Sequence, residues 1–284
     1  MTMKMKQDEF KQLSMFDIVL EHNEKEISQH SDDGKTKTLA AVSVSDGKNL
    51  CPYKVPTVSE IIKLIEKFAY GTNKTKIISD VFECGAIAIS NIVDLSQKEP
   101  REKRYTDVIR FYGPEDRKRL CDVFSLIFAL CSSVVYDNGV FDDYLGDLFM
   151  KLNQGNSHSG QFFTPYHISK FMAECTFASD VIGEKTKNDG ILTICDPCSG
   201  GGGLILAALS VLKEHHINYA RNCFVECSDI DIRCVHMTYL QLALAGVPAI
   251  VKHQNSLTRE TWSIWRTPAF MLQYPRFMKY ETFI

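Results

Sequence analysis

From Thr57 onward apolar residues recur at spacings of three and four. Val58, Ile61, Ile62, Ile65, Phe68 and Ala69 share one helical face, and Gly71 ends the run. Leu120, Val123, Phe124, Ile127, Phe128 and Cys131 repeat the spacing, as do Phe141, Tyr144, Leu145, Leu148, Phe149 and Leu152, with acids between them. These stretches predict a helical domain over residues 57–155, with the short connections of a bundle. Aromatic stripes at helical spacing are core, and these are read as core. Residues 1–56 lack such a period. The stretch from Gln29 to Lys35 is polar, and Cys51 to Pro56 reads as an extended entry, so this part is predicted to be a weakly ordered segment without chemistry.

Beyond residue 156 the pattern changes. Thr164 is a predicted N-cap and Pro165 a first helical residue, ahead of a helix that carries Ile168, Phe171, Met172 and Cys175 on one face. An apolar run then ends at Asp196. Four glycines, Gly200 to Gly203, follow, and a helix begins that buries Leu204, Ala207, Ala208, Val211 and Leu212. A second strand, Asn222 to Cys227, leads to Ser228 and Asp229. The next helix carries Ile232, Val235, Tyr239 and Leu242, and a short strand, Ala249 to Val251, comes after Pro248. Strand, helix, strand, helix, strand predicts an α/β domain over residues 156–284, with parallel pairing and right-handed crossovers.

Composition narrows this picture. With 45% apolar residues the 284-residue chain can bury a real core, and the net charge of −3 gives no overall basic field. A nucleic-acid contact must therefore be local or shared with another subunit. The patches Arg101-Glu102-Lys103-Arg104 and Arg117-Lys118-Arg119 read as solvated helix faces. No apolar stretch follows the N-terminal lysines and none later is long enough to span a bilayer, which predicts a cytoplasmic protein without membrane attachment. The ten cysteines lie in apolar runs and read mostly as reduced, buried small hydrophobes.

In an open parallel sheet, ligands bind beyond the carboxyl ends of the strands. Here Asp196 and the glycines end the first strand, Asp229 ends the second, and Asn255 lies just beyond the third. A carboxylate at the second position can accept both hydroxyls of a ribose, which predicts a nucleoside-bearing ligand. The acid and proline ahead of the glycines do not suit a pyrophosphate. Asp196 suits a cationic ligand instead, such as S-adenosylmethionine. No Lys-Ser or Lys-Thr follows the glycines, so this is not a P-loop.

Gly160-Gln161-Phe162-Phe163-Thr164-Pro165, followed after a helix by Asp196-Pro197-Cys198-Ser199-Gly200-Gly201-Gly202, resembles the paired cofactor signature of N6-adenine DNA methyltransferases, in particular the modification subunits of type I restriction-modification systems. The resemblance covers about residues 140–260. It implies a Rossmann-like S-adenosylmethionine-dependent methyltransferase fold preceded by a helical N-terminal region. It also implies an S-adenosyl-L-methionine cofactor, with Thr164 on the cofactor carboxylate. Asp196, Pro197, Gly200 and Gly202 would form the glycine motif, Asp229 would hold the ribose, and Asn255 would lie near the adenine. DNA would be the substrate, reached with a separate specificity subunit and a restriction subunit.

The family's catalytic motif is Asp or Asn, then Pro-Pro, then an aromatic residue. It presents acceptors to the adenine amino group and a ring to the flipped base. None of the nine prolines here is adjacent to another. The nearest candidate is Trp265-Arg266-Thr267-Pro268-Ala269-Phe270, with Thr267 as acceptor and Phe270 as stacking ring; the alternative is a loop packed on the sheet. No catalytic residue is assigned. The chain also leaves little length after its third strand, which predicts a truncated sheet with an open edge. Two alternatives remain: a catalytically silent relative that keeps the cofactor site or a truncated fragment lacking that motif, and a zinc module through Cys195, Cys198, Cys223 and Cys227.

Overall fold

The computed structural model describes residues 49–68, 73–153, 162–177 and 190–281. The polar segment up to residue 48, Ala69, Gly71 and the stretch from 154 to Gly160 and Gln161 lie outside the described residues.

Among the described residues, five α-helices come first. Helix α1 (Val58–Ile65) opens with a capping box, in which the Thr57 hydroxyl accepts from the Glu60 amide and the Glu60 carboxylate accepts from the Thr57 amide. Then come α2 (Lys74–Val93), α3 (Lys98–Ile109), α4 (Pro114–Ser132) and α5 (Tyr144–Asn153). Helix α2 is buried over most of its surface, through Ile77, Ile78, Val81, Phe82, Ala86 and Ile89. At Gly85 a Cβ would lie 2.2 Å from the Phe124 ring, so only glycine lets α4 approach this closely.

Helix α6 (Tyr166–Thr176) leads into the α/β part: β1 (Leu192–Asp196), α7 (Gly203–Glu214), the one-turn α8 (Tyr219–Asn222), β2 (Cys223–Asp229), α9 (Ile232–Leu244), β3 (Ala249–Asn255), β4 (Glu260–Arg266), α10 (Pro268–Leu272) and α11 (Tyr274–Glu281). The strands lie in sequence order, with β1, β2 and β3 parallel and β4 antiparallel to β3. The predicted mixed architecture is therefore observed: a helical region followed by a short, largely parallel sheet with β1 on one edge. Helices α2 and α4 pack directly on α9, and one continuous apolar core joins the helical region to the sheet.

Three local expectations need correction, and two open alternatives are decided. Arg101 is not on a solvated face. It is 8% exposed, donates to the Ser90 hydroxyl, to Asp94 at 3.3 Å and to the Ile264 carbonyl at 2.8 Å, and stacks on Trp265 at 4.1 Å. A charged run in sequence gave no sign that one of its members ties α3 to β4.

The apolar stripe of α6 also faces outward. Ile168, Phe171, Met172 and Cys175 are exposed, and the helix meets α7 through the small residues Ser169 and Ala173, with Lys170 reaching Glu214 at 2.6 Å. Helix α6 starts at Tyr166, so Pro165 takes the cap position and Thr164 stands ahead of it.

Thr267 and Phe270 lie at the wrong end of the sheet for a ligand role. Thr267 is buried and caps α10, donating to the Val247 carbonyl and accepting from the Ala249 amide at the start of β3. Phe270 packs against Phe224 and Phe277. The packed alternative holds, with the segment forming the end of β4 and the start of α10 in place of a loop.

The zinc grouping does not assemble. The parallel register pairs Cys195 with Glu226 and Cys227 with Asp196, which sends the two thiols to opposite faces, and pairs Cys223 with Leu192 at the far end of β2. Among the described residues no cluster of three metal-ligating side chains forms. Six cysteines are buried, whereas Cys175, Cys195 and Cys198 are exposed.

Candidate functional site

The carboxyl ends of β1 and β2 converge on the glycine turn between β1 and α7. Gly200 and Gly202 have φ of 54° and 95°, in the left-handed region where a side chain is strained. Neighbours on three sides fix the turn. The Ser199 amide donates to the Ser228 carbonyl at 3.0 Å, and the Gly202 amide to the Ser199 carbonyl at 2.8 Å. The Gly200 amide donates to Asp229 Oδ2 at 2.8 Å. From α9, Thr238 donates to the Gly200 carbonyl at 2.9 Å and Gln241 Nε2 to the Gly201 carbonyl at 2.8 Å. The carbonyls are thus drawn back toward α9, and the N-terminus of α7 opens on the other side, where its free amides favour negative or hydrogen-bond-accepting groups.

Beside this turn is a cavity of about 350 Å³, within the range of small-ligand sites. Its lining includes Phe163, Thr164, Ser169, Gly200, Asp229 and Asp143. Of the sequence-predicted residues, the fold therefore brings together Thr164, Gly200 and Asp229. Asp229 is held from both sides, since its Oδ1 also accepts from the Asp231 amide at 2.8 Å. Gly202 sits behind the lining, where a Cβ would lie 3.2 Å from the Thr238 hydroxyl.

The other three predicted residues do not line the cavity. Asp196 Oδ1 turns back to accept from the Cys198 amide at 3.0 Å, and burial, reinforced by the nearby Asp229, raises its carboxyl above the usual carboxylate range. The Pro197 carbonyl accepts from the Ser228 and Ser256 hydroxyls. Asn255 Oδ1 accepts from the amides of Leu257 and Thr258 at 3.0 and 3.2 Å and so closes the β3–β4 turn.

Three further lining residues were given no role of their own by the sequence. Phe163 closes on the turn: a Cβ at Gly200 would lie 3.1 Å from its ring. Ser169 is fully buried, and its hydroxyl has no hydrogen-bond partner among the described residues. Asp143, between α4 and α5, reaches the glycine turn, and burial raises its carboxyl. Asp143 was legible only as one acid among several between apolar positions.

The charge of the lining limits the ligand. Among the described residues it holds two acids, Asp143 and Asp229, and neither lysine nor arginine. A pyrophosphate would meet unfavourable charge here, whereas a nucleoside bearing cationic groups would not. The unpartnered Ser169 hydroxyl fits a polar ligand too, because a buried polar group without a partner is costly. These residues suit S-adenosylmethionine.

Among curated proteins nothing matches the chain. One solved structure similar to it is the type I restriction-modification system methyltransferase subunit from Streptococcus thermophilus, 17% identical, with a TM-score of 0.38; the alignment covers 72% of this chain and 40% of that one. The family model described as N-6 DNA Methylase matches residues 140–279, which contain Thr164, the glycine turn and Asp229. Over that segment, the chain resembles the N6-adenine DNA methyltransferase family.

Proposed function

We propose that this chain is the cofactor-binding part of a DNA adenine N6-methyltransferase of the restriction-modification kind, with S-adenosyl-L-methionine as its ligand. One observation carries the reading: Thr164, Gly200 and Asp229 line a single cavity at the carboxyl ends of the strands, and no basic side chain among the described residues lines it. Thr164 would take the carboxylate of the amino-acid end, the glycine turn would let the ligand approach bare backbone, and Asp229 would accept the ribose hydroxyls. When bound, the cofactor supplies an activated methyl group. DNA and a separate specificity subunit are the proposed partners, a restriction subunit a further one, and the cytoplasm the proposed location; no helix among the described residues is long and apolar enough to cross a membrane.

Methyl transfer needs acceptors for the adenine amino group, and no Pro-Pro motif is present in this sequence. The proposed division is therefore that this chain binds cofactor while the transfer step requires a polypeptide that supplies that motif. Calorimetric titration of S-adenosylmethionine tests the first half. Saturable one-to-one binding to wild type and none to Gly200→Val is expected, and absence of heat with wild type would refute the reading. Incubation with adenine-containing DNA tests the second half. No N6-methyladenine is expected from the chain alone, and its formation would overturn the division.

A further inference from the structure

The cavity contains an acid that the methyltransferase signature did not single out. Asp143 is 6% exposed and lies just ahead of α5, whose N-terminus it caps by accepting from the Gly146 amide at 3.0 Å. The same oxygen, Oδ1, accepts from Gln241 Nε2 at 2.8 Å. Gln241 is itself fixed: its other Nε2 hydrogen bond goes to the Gly201 carbonyl at 2.8 Å and its Oε1 accepts from the Leu145 amide at 3.3 Å. The carboxylate is thereby pressed against the glycine turn. A Cβ built at Gly201 would lie 3.2 Å from both of its oxygens, and one at Gly203 would lie 3.1 Å from Oδ2.

Both hydrogen bonds are to neutral donors, and both fall on Oδ1. No lysine or arginine among the described residues pairs with this acid, and Oδ2 accepts from none of their donors. A buried carboxylate with only neutral partners is unfavourable unless something compensates it. Structural capping accounts for Oδ1 and leaves Oδ2 unused beside a cavity built for a small ligand. At the other side of the turn Asp229 already matches a ribose, so the two acids flank Gly200 to Gly203 with separate tasks.

We propose that Asp143 receives the ammonium group of the ligand's amino-acid end, so that the cavity selects a nucleoside carrying a zwitterionic tail over one that lacks it. The inference rests on the S-adenosylmethionine reading above. The ammonium would supply the positive charge that Asp143 otherwise lacks, and Thr164 would take the carboxylate of the same tail. Gln241 acts as a positioning residue, holding the carboxylate and the glycine turn in one register.

The test compares ligands as well as variants. Affinities of S-adenosylhomocysteine, its deaminated analogue and 5′-methylthioadenosine are measured with wild type and Asp143→Asn, which keeps the capping acceptor. Wild type is expected to bind the deaminated analogue at least tenfold more weakly than S-adenosylhomocysteine. In Asp143→Asn that difference should shrink to about twofold, with 5′-methylthioadenosine bound as well as by wild type. Equal loss for all three ligands would mark Asp143 as purely structural and overturn the proposal, as would an unchanged preference for the amino group. If Asp143→Asn does not fold, wild type decides alone: equal affinity for the aminated and deaminated ligands sinks the proposal. Binding of none of the three, nor of S-adenosylmethionine, would instead remove the cofactor reading itself.

Discussion

The two ends of this sheet differ in kind. At the amino ends of β2 and β3, Phe224, Ile250, Phe270 and Phe277 form a closed apolar cluster, and the Thr267 hydroxyl bonds both Val247 and Ala249. At the carboxyl ends, among the described residues, are glycines in left-handed conformations, two acids and a buried hydroxyl without a partner. The first end spends its residues on packing and satisfied polar groups. The second keeps backbone and side-chain polar groups exposed to a cavity at a cost in stability, as functional sites do. The same dipeptide logic, a threonine before a proline, occurs at both ends: Thr267 is a buried cap and Thr164 lines the cavity.

Substitutions at each end should therefore separate stability from binding. The largest effect is expected at the closed end. Phe270→Ala should lower unfolding free energy by about 3–5 kcal/mol by emptying a packed site, while the folded fraction binds S-adenosylmethionine with unchanged affinity. Denaturant unfolding and calorimetry check the two halves, and a matching loss of affinity would blur the distinction. At the open end, Gly200→Val should weaken the ligand at least 100-fold, about 2.7 kcal/mol, because a side chain there is strained at φ 54° and meets Phe163.

His236 lies between the two ends, buried against Trp265 with ring centroids 4.9 Å apart, and burial holds its pKa down to about 3 from 6.5. Between those values the unfolded chain binds a proton that the folded one excludes, so stability falls as pH drops through that window, by at most about 1.4 kcal/mol per pH unit from this group. His236→Phe should flatten that slope in unfolding curves measured from pH 7 to pH 4. The smallest effect is Asp229→Asn, expected to weaken S-adenosylmethionine about tenfold, or about 1.4 kcal/mol, with a change in melting temperature of only a few degrees. Binding unaffected by this change would remove Asp229 from the proposed ribose contact.

Much of the architecture was legible. The period-3.6 runs mark α1, α4 and α5, and the apolar runs ending at Asp196 and Asp229 mark the parallel pair β1 and β2. Helix α2 was not singled out in the sequence: Lys76, Ser79, Asp80 and Glu83 form only a narrow polar stripe, and most of its other positions are buried. The outward face of α6 misleads for the opposite reason: its apolar residues are at helical spacing, yet the small Ser169 and Ala173 make the close contact with α7.

At the site, the sequence alone determined the local chemistry: a glycine turn after an acid, a second-strand acid, a Thr-Pro entry and the lack of adjacent prolines. Those features follow from short-range backbone needs, so they leave a mark within a few residues. Only the tertiary structure decided which of them meet. It gathers Thr164, Gly200 and Asp229 around the cavity, turns Asp196 and Asn255 to their own loops, and buries Arg101 under β4. It also brings Asp143 and Gln241, 98 positions apart, to within 2.8 Å of each other beside the glycine turn. A contact of that separation is set by how α5 and α9 pack on one core, and no periodicity or motif in the chain encodes it locally.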